Sequence, residues 1–291
     1  MSELIMVIVG GLKFGAMYSL AALGLVVIHK ATRVVNFAHG GLVLLGAFGA
    51  YIVVVDMGWP YWFAYVIVAI TIGLFSALLE TALLQPLRRA DLFAVVVATI
   101  FLGIVLSESY RLAYNTEILI VPSPVSGTAF FIGNAIITRE QIWVVTGALA
   151  CGAAGLALFQ YAGIGRSMRA MAANMRGAQL CGYSVNRVYA LAWFLGGALA
   201  GVAGVFVAPS KGVSPDLAVS TITTAFVAAV IGGFDSLIGA ILGGLILGLA
   251  ETLTASYISS AAKSAISFVL LFAVLIWRPD GLFPEAKKRR V

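Results

Sequence analysis

The sequence predicts an all-α protein: a polytopic transmembrane helical bundle of about nine spans (8–10), with the N-terminus outside and the C-terminus cytoplasmic. Three observations carry this. Of 291 residues, 62% are hydrophobic and only 10% charged. The apolar residues fall in runs of about 17–25, long enough to cross a bilayer as helices, and helices satisfy their own backbone where lipid offers no partner. The basic residues gather on one side of the runs, as they do in cytoplasmic loops.

In chain order the expected spans are Glu3–Ile28, Phe37–Val55, Tyr61–Leu84, Leu92–Ala113, Ile142–Ala162, Val188–Pro209, Asp216–Gly233, Leu237–Tyr257 and Ala261–Trp277. The seventh is short and carries Ser220, Thr221, Thr223 and Thr224, so a re-entrant or broken helix is the alternative there. Nearly all loops are short, so residues 1–291 read as one membrane domain. With the tail "EAKKRRV" inside and nine alternating spans, Lys30, Arg33, Arg88, Arg89, Arg166, Arg169, Arg176, Arg187, Arg278, Lys287, Lys288, Arg289 and Arg290 fall inside. Arg111, Arg139, Lys211 and Lys263 fall outside or near the outer face, and Lys13 within the first span. The net charge of +6 therefore reads as topology and not as nucleic-acid binding. Glu3 stands where a signal peptide would be basic, and the first run is long enough to stay as a span. Cys151 in a span and Cys181 on the cytoplasmic side imply no disulfide framework.

Local signals place the ends of elements. In the long outer segment, "TAFFIGNAIIT" suggests a hairpin. Thr138-Arg-Glu-Gln141 fits a capping box opening the fifth span. Ser214-Pro215-Asp216 puts a cap residue before a proline at the first helical position. Small residues four apart, at Gly197 and Gly201, Ala200 and Gly204, Gly239 and Gly243, Gly244 and Gly248, allow close helix contact in lipid, within the chain or between subunits.

The stretch "GIGRSMRAMAANMRGAQLCGYSVNR" (163–187) stands apart from the spans. Arg166, Arg169, Ala173 and Arg176 recur at helical spacing on one face. Met168, Met171, Met175 and Ala178 recur about 200° around at ~100° per residue. Gly182 fits a left-handed stop, and Ser184 or Asn186 a cap for the next span. Such a helix either lies on the inner leaflet, with arginines on lipid phosphates, or docks one face into a partner protein.

Several chemistries find no support in the sequence. There is no G-x-x-x-x-G-K-[ST] loop, so ATP hydrolysis by this chain is not expected, and no H-E-x-x-H or cysteine cluster suggests a metal. Five ionisable groups fall inside apolar runs: Lys13, His39, Glu80, Glu108 and Glu251. Such groups are costly in lipid and face a bundle interior or a cavity. Glu80 can reach Arg88 near the inner surface, and Glu108 can pair with Arg111 one turn on. Lys13 and Glu251 lie deeper and keep open an ion-coupled secondary transporter acting without an ATPase.

"VVNFAHGGLVLLGAF", "ATIFLGIVL", "GRSMRAMAANMRGAQLCGYSVNRVYALAW", "AGVAGVF", "AFVAAVIGGFDSLIGAILGGLILGLAET" and "RPDGLF" together resemble one family. It is the inner-membrane permease subunits, of the shorter type, of branched-chain amino-acid ABC importers. The resemblance implies a bacterial inner-membrane permease, not an enzyme, that pairs with a second related permease, two ATPase subunits and a periplasmic substrate-binding protein. No cofactor is expected on this chain, because ATP and Mg belong to the partner subunits. It implies that residues 163–187 form the coupling helix, with Arg166, Arg169, Met171, Asn174, Met175, Arg176, Gly182 and Asn186 as docking positions. Asn36, His39, Gly41, Thr99 and Thr224 are the expected substrate-pathway residues. Two of these depart from the family's habit. Gly41 stands where an acid is common and Thr224 where a lysine is common, so the two positions are expected to face one cavity. Branched-chain amino acids are the implied substrates, and urea, amides or aromatic acids are alternatives known among cousins.

Overall fold

The computed structural model describes residues 2–88, 91–114, 117–133 and 135–285. Arg89 and the tail lysines and arginines after Glu285 lie outside them. The helices follow the predicted order. They are α1 (Ser2–Thr32), α2 (His39–Tyr51), α3 (Tyr61–Leu79), the single turn α4 (Gln85–Leu87) and α5 (Leu92–Tyr114). After a hairpin of β1 (Thr128–Ile132) and β2 (Ala135–Thr138) come α6 (Arg139–Tyr161), α7 (Gly163–Ala173) and α8 (Met175–Leu180). The chain then forms α9 (Val185–Lys211), α10 (Asp216–Gly232), α11 (Leu237–Tyr257) and α12 (Ala262–Trp277). Seven of these segments are long and apolar enough to cross a membrane, while α10 and α12 are shorter apolar helices. The doubtful seventh run is one unbroken helix of 17 residues, or about 26 Å at 1.5 Å per residue.

Two spans end in π-helical turns, Ile52–Asp56 after α2 and Glu80–Leu84 after α3. The capping box at α6 forms as read: Thr138 accepts the Gln141 N–H while the Gln141 side chain accepts the Thr138 N–H. At α10 the reading needs correction. Pro215 takes the cap position, no side chain caps the helix, and Ser214 contributes only its carbonyl, to the Leu217 N–H.

Helix α1 is the axis of the bundle, buried almost continuously from Gly15 to Ile28. It packs on α11 so closely that a Cβ at Gly248 would lie 2.2 Å from the Gly15 nitrogen, and one at Gly244 2.4 Å from that of Ser19. All four small-residue pairs are spent on such seams inside the chain. Gly197 and Gly201 meet α3, Gly204 meets α2 beside fully buried Ala200, and Gly239 and Gly243 meet the end of α10. With no hydrophobic drive between helices in lipid, this close backbone contact is the main cohesive term.

Candidate docking face and transport pathway

The segment after α6 is amphipathic, but it is not one helix. It breaks at Asn174, whose extended backbone ends α7 and whose side chain accepts the Gly177 N–H to start α8. Ala173 and Arg176 therefore do not continue one helical face, as the spacing suggested. Met168 and Met171 are buried in the core of this chain, so Met171 is not available to a partner. Met175, past the break, is half exposed. Arg166, Asn174 and Arg176 are exposed, together with the apolar side chains of Ile164, Leu180 and Tyr183. Arg169 turns inward: it donates to the carbonyl of Phe159, in the last turn of α6, and its guanidinium sits 5.8 Å from that ring. It anchors α7 to a membrane helix. Gly182, with φ +86°, is the left-handed stop after α8.

Asn186 does not cap α9. Its Oδ1 accepts from Arg88 Nη1, and Arg88 Nη2 donates to Glu80 in the π-helical turn. The guanidinium also lies 4.5 Å from the Tyr189 ring centroid. Glu80 is thus paired with Arg88 as the sequence suggested, but it is buried rather than reaching to the surface. A cavity of about 330 Å³ opens beside this cluster, walled by Leu84, Leu92, Val95, Met175 and Trp193 among others.

Three pathway candidates meet at the α1–α2 connection. Asn36 Oδ1 accepts the Ala38 N–H (3.0 Å), His39 Nε2 lies 2.9 Å from the Ala21 carbonyl, and Thr99 Oγ1 accepts the Phe37 N–H (3.3 Å). All three are sealed from solvent, and Asn36 Nδ2 and His39 Nδ1 have no partner among the described residues. Gly41 lies elsewhere, on a groove of about 260 Å³ between α2, α5 and α10 that includes Glu108. A Cβ at Gly41 would meet the Leu106 Cβ at 2.8 Å, so glycine there lets α2 rest on α5. Thr224 does not line this groove, and its hydroxyl bonds the Ser220 and Thr221 carbonyls of its own helix. The expectation that positions 41 and 224 share a cavity is therefore not met in this groove. On α10, Thr224 points away from Ala218 and Ile222, the residues that meet Gly40.

The deep charges that kept ion coupling open have partners. Glu251 accepts from Tyr18 Oη (2.9 Å) and Ser267 Oγ (2.6 Å), with Lys263 Nζ at 3.8 Å. Lys13 pairs with Glu140 at 2.6 Å, and Ser210 donates to the same carboxylate oxygen. The Glu108–Arg111 pair forms at 3.5 Å. The Lys13 and Glu251 contacts tie α1 to α6, α9, α11 and α12, which is structural work that sequence spacing could not reveal.

A helical bundle with these apolar lengths is a polytopic membrane protein. Residues 7–275 match the family described as branched-chain amino acid transport system, permease component, and the chain belongs to that family. It is 32% identical over 297 residues to the high-affinity branched-chain amino acid transport system permease protein LivH of Escherichia coli (strain K12), covering 96% of this chain and 95% of that one. To the corresponding protein BraD of Pseudomonas aeruginosa it is 31% identical over 299 residues, covering 97% and 96%. Among solved structures, a chain of PsaBC from Streptococcus pneumoniae in complex with Fab matches with TM-score 0.48 and 14% identity, covering 92% of this chain and 89% of that one. The LivH and BraD relatives are described as permease proteins of branched-chain amino acid transport systems.

Proposed function

We propose that this chain is the permease subunit of an ATP-driven importer for branched-chain amino acids or related small solutes. It crosses the bacterial inner membrane about nine times, with its N-terminus outside and C-terminus inside. ATP and Mg are bound by two separate ATPase subunits, a second related permease completes the pathway, and a periplasmic binding protein delivers the solute. The observation that carries the docking role is the arrangement of α7 and α8. Met168 and Met171 of α7 are buried in the bundle, Arg169 fastens α7 to α6, and Arg166, Asn174 and Arg176 are left outward. A helix lying on lipid would present its apolar side to the membrane. Here Met168 and Met171 already pack into the bundle, and the outward arginines, with Ile164, Leu180 and Tyr183 exposed beside them, suit a partner protein that offers carboxylates and apolar contact. Urea, amides and aromatic acids remain within the proposed solute range, since the three buried pathway candidates show no open site that would select among them.

The test is copurification of the tagged chain, coexpressed with its ATPase subunits, from mild detergent. Arg166→Glu/Arg176→Glu should lose the ATPase subunits while the permease itself stays monodisperse. Full retention of ATPase by the reversed variant would remove the docking role from this face. An ion-coupled transporter is not favoured, because Lys13 and Glu251 are both held by partners within the chain.

A further inference from the structure

Arg88 holds two parts of the molecule at once. Through Nη2 it bonds Glu80, in the π-helical turn that extends α3, and through Nη1 it bonds Asn186, in the first turn of α9 directly after the α7–α8 segment. The position that serves Asn186 and the Tyr189 ring leaves a fork half made. Glu80 Oε2 and Arg88 Nε are both buried and have no partner among the described residues, although Nε and Nη2 lie on the same edge of the guanidinium. Arginine and carboxylate pair best through two parallel bonds, so Glu80 and Arg88 have a second arrangement available that a displacement of Asn186 would release. Two neighbouring features let that happen without unpacking the core. A π-helical turn carries a residue more than an α-turn does and is frequent at functional sites. The cavity of about 330 Å³ against Leu84, Val95 and Met175 provides space beside it.

We propose that Glu80, Arg88 and Asn186 form the joint that passes displacement of the cytoplasmic helices into membrane helix α3, and that they are positioning residues for coupling ATP hydrolysis to solute movement. The inference rests on α7–α8 docking an ATPase. The bridged arrangement is the one in this structure; the closed fork is the other, and ATPase-driven motion of α8 and the start of α9 selects between them.

The complete transporter, with binding protein and ATPase subunits, is reconstituted in liposomes and solute moved per ATP hydrolysed is measured. In Arg88→Lys a single ammonium cannot span Glu80 and Asn186 together. ATPase copurification should match wild type, solute moved per ATP should fall at least tenfold, and hydrolysis should stop responding to loaded binding protein. The exchange Glu80→Arg/Arg88→Glu should recover most of the ratio, because the Asn186 amide can donate as well as accept. If the exchanged pair does not fold, the ratio and the response in Arg88→Lys still decide. An unchanged ratio in Arg88→Lys, with the assembly intact, overturns the joint. Absence of ATPase from the wild-type preparation overturns the docking reading instead, and the joint with it.

Discussion

Glu251 separates a structural from a transport role most sharply. Its carboxylate is buried between α1, α11 and α12, accepting from Tyr18 and Ser267. Hydrogen bonds to charged groups contribute about 1.5–3 kcal/mol each, and a buried polar group left without a partner costs about 1–3 kcal/mol. Glu251→Leu removes both bonds and strands both hydroxyls, so it should destabilise the bundle by about 3–5 kcal/mol. Lys263 adds little, since its side chain is about a third exposed and can rehydrate. Replacing both hydrogen-bond partners as well, Tyr18→Phe/Glu251→Leu/Ser267→Ala, leaves neither hydroxyl stranded and should cost only about 0–1 kcal/mol, following the rule that matched apolar replacement is close to neutral. At roughly 2–4 °C per kcal/mol, the single variant should melt about 6–20 °C below wild type and the triple variant within a few degrees of it. The assay is size-exclusion monitored thermal unfolding in detergent, followed by ATP-driven uptake at a temperature where all variants are folded. Uptake by the triple variant should stay near wild type. A triple variant as unstable as the single one would refute the bonding argument. One that is fully stable but inactive would show that Glu251 belongs to the transport step.

Two further outcomes follow from packing. Gly248→Leu should abolish folded protein, because its Cβ alone would lie 2.2 Å from the Gly15 nitrogen, whereas Gly10→Ala, whose Cβ would meet nothing nearer than 3.6 Å, should express and melt like wild type. Gly41→Glu should impair the bundle by pushing Leu106 off α2, and adding Thr224→Lys should bring no recovery in thermal stability or uptake, since Thr224 does not line the Gly41 groove.

The helices were legible because the bilayer imposes length and apolarity on each run independently, so α1, α2, α3, α5, α6, α9, α10, α11 and α12 appear where the nine runs are. The capping box at Thr138 was legible because it is a local exchange of two bonds. What eluded the sequence was orientation. Met168 and Met171 have the spacing of a binding face, but spacing does not say whether that face turns toward a partner or the chain's own core, and here it turns inward. The break at Asn174 was hidden because the residues around it are good helix formers, and a single capping side chain sets it. Long-range pairs were equally out of reach: Lys13 with Glu140 and Glu251 with Tyr18 join segments more than a hundred residues apart. Asn36, His39 and Thr99, pathway positions expected from the family resemblance, come together at one turn in the structure, where they bond backbone groups.

The central claim, that this permease moves solute only when driven by partner ATPases, is tested most directly by uptake of labelled leucine into proteoliposomes. Uptake should require the second permease, the ATPase subunits, ATP on their side and the binding protein on the other, and imposed proton or sodium gradients alone should give none. Gradient-driven, saturable uptake by this chain alone would contradict the account.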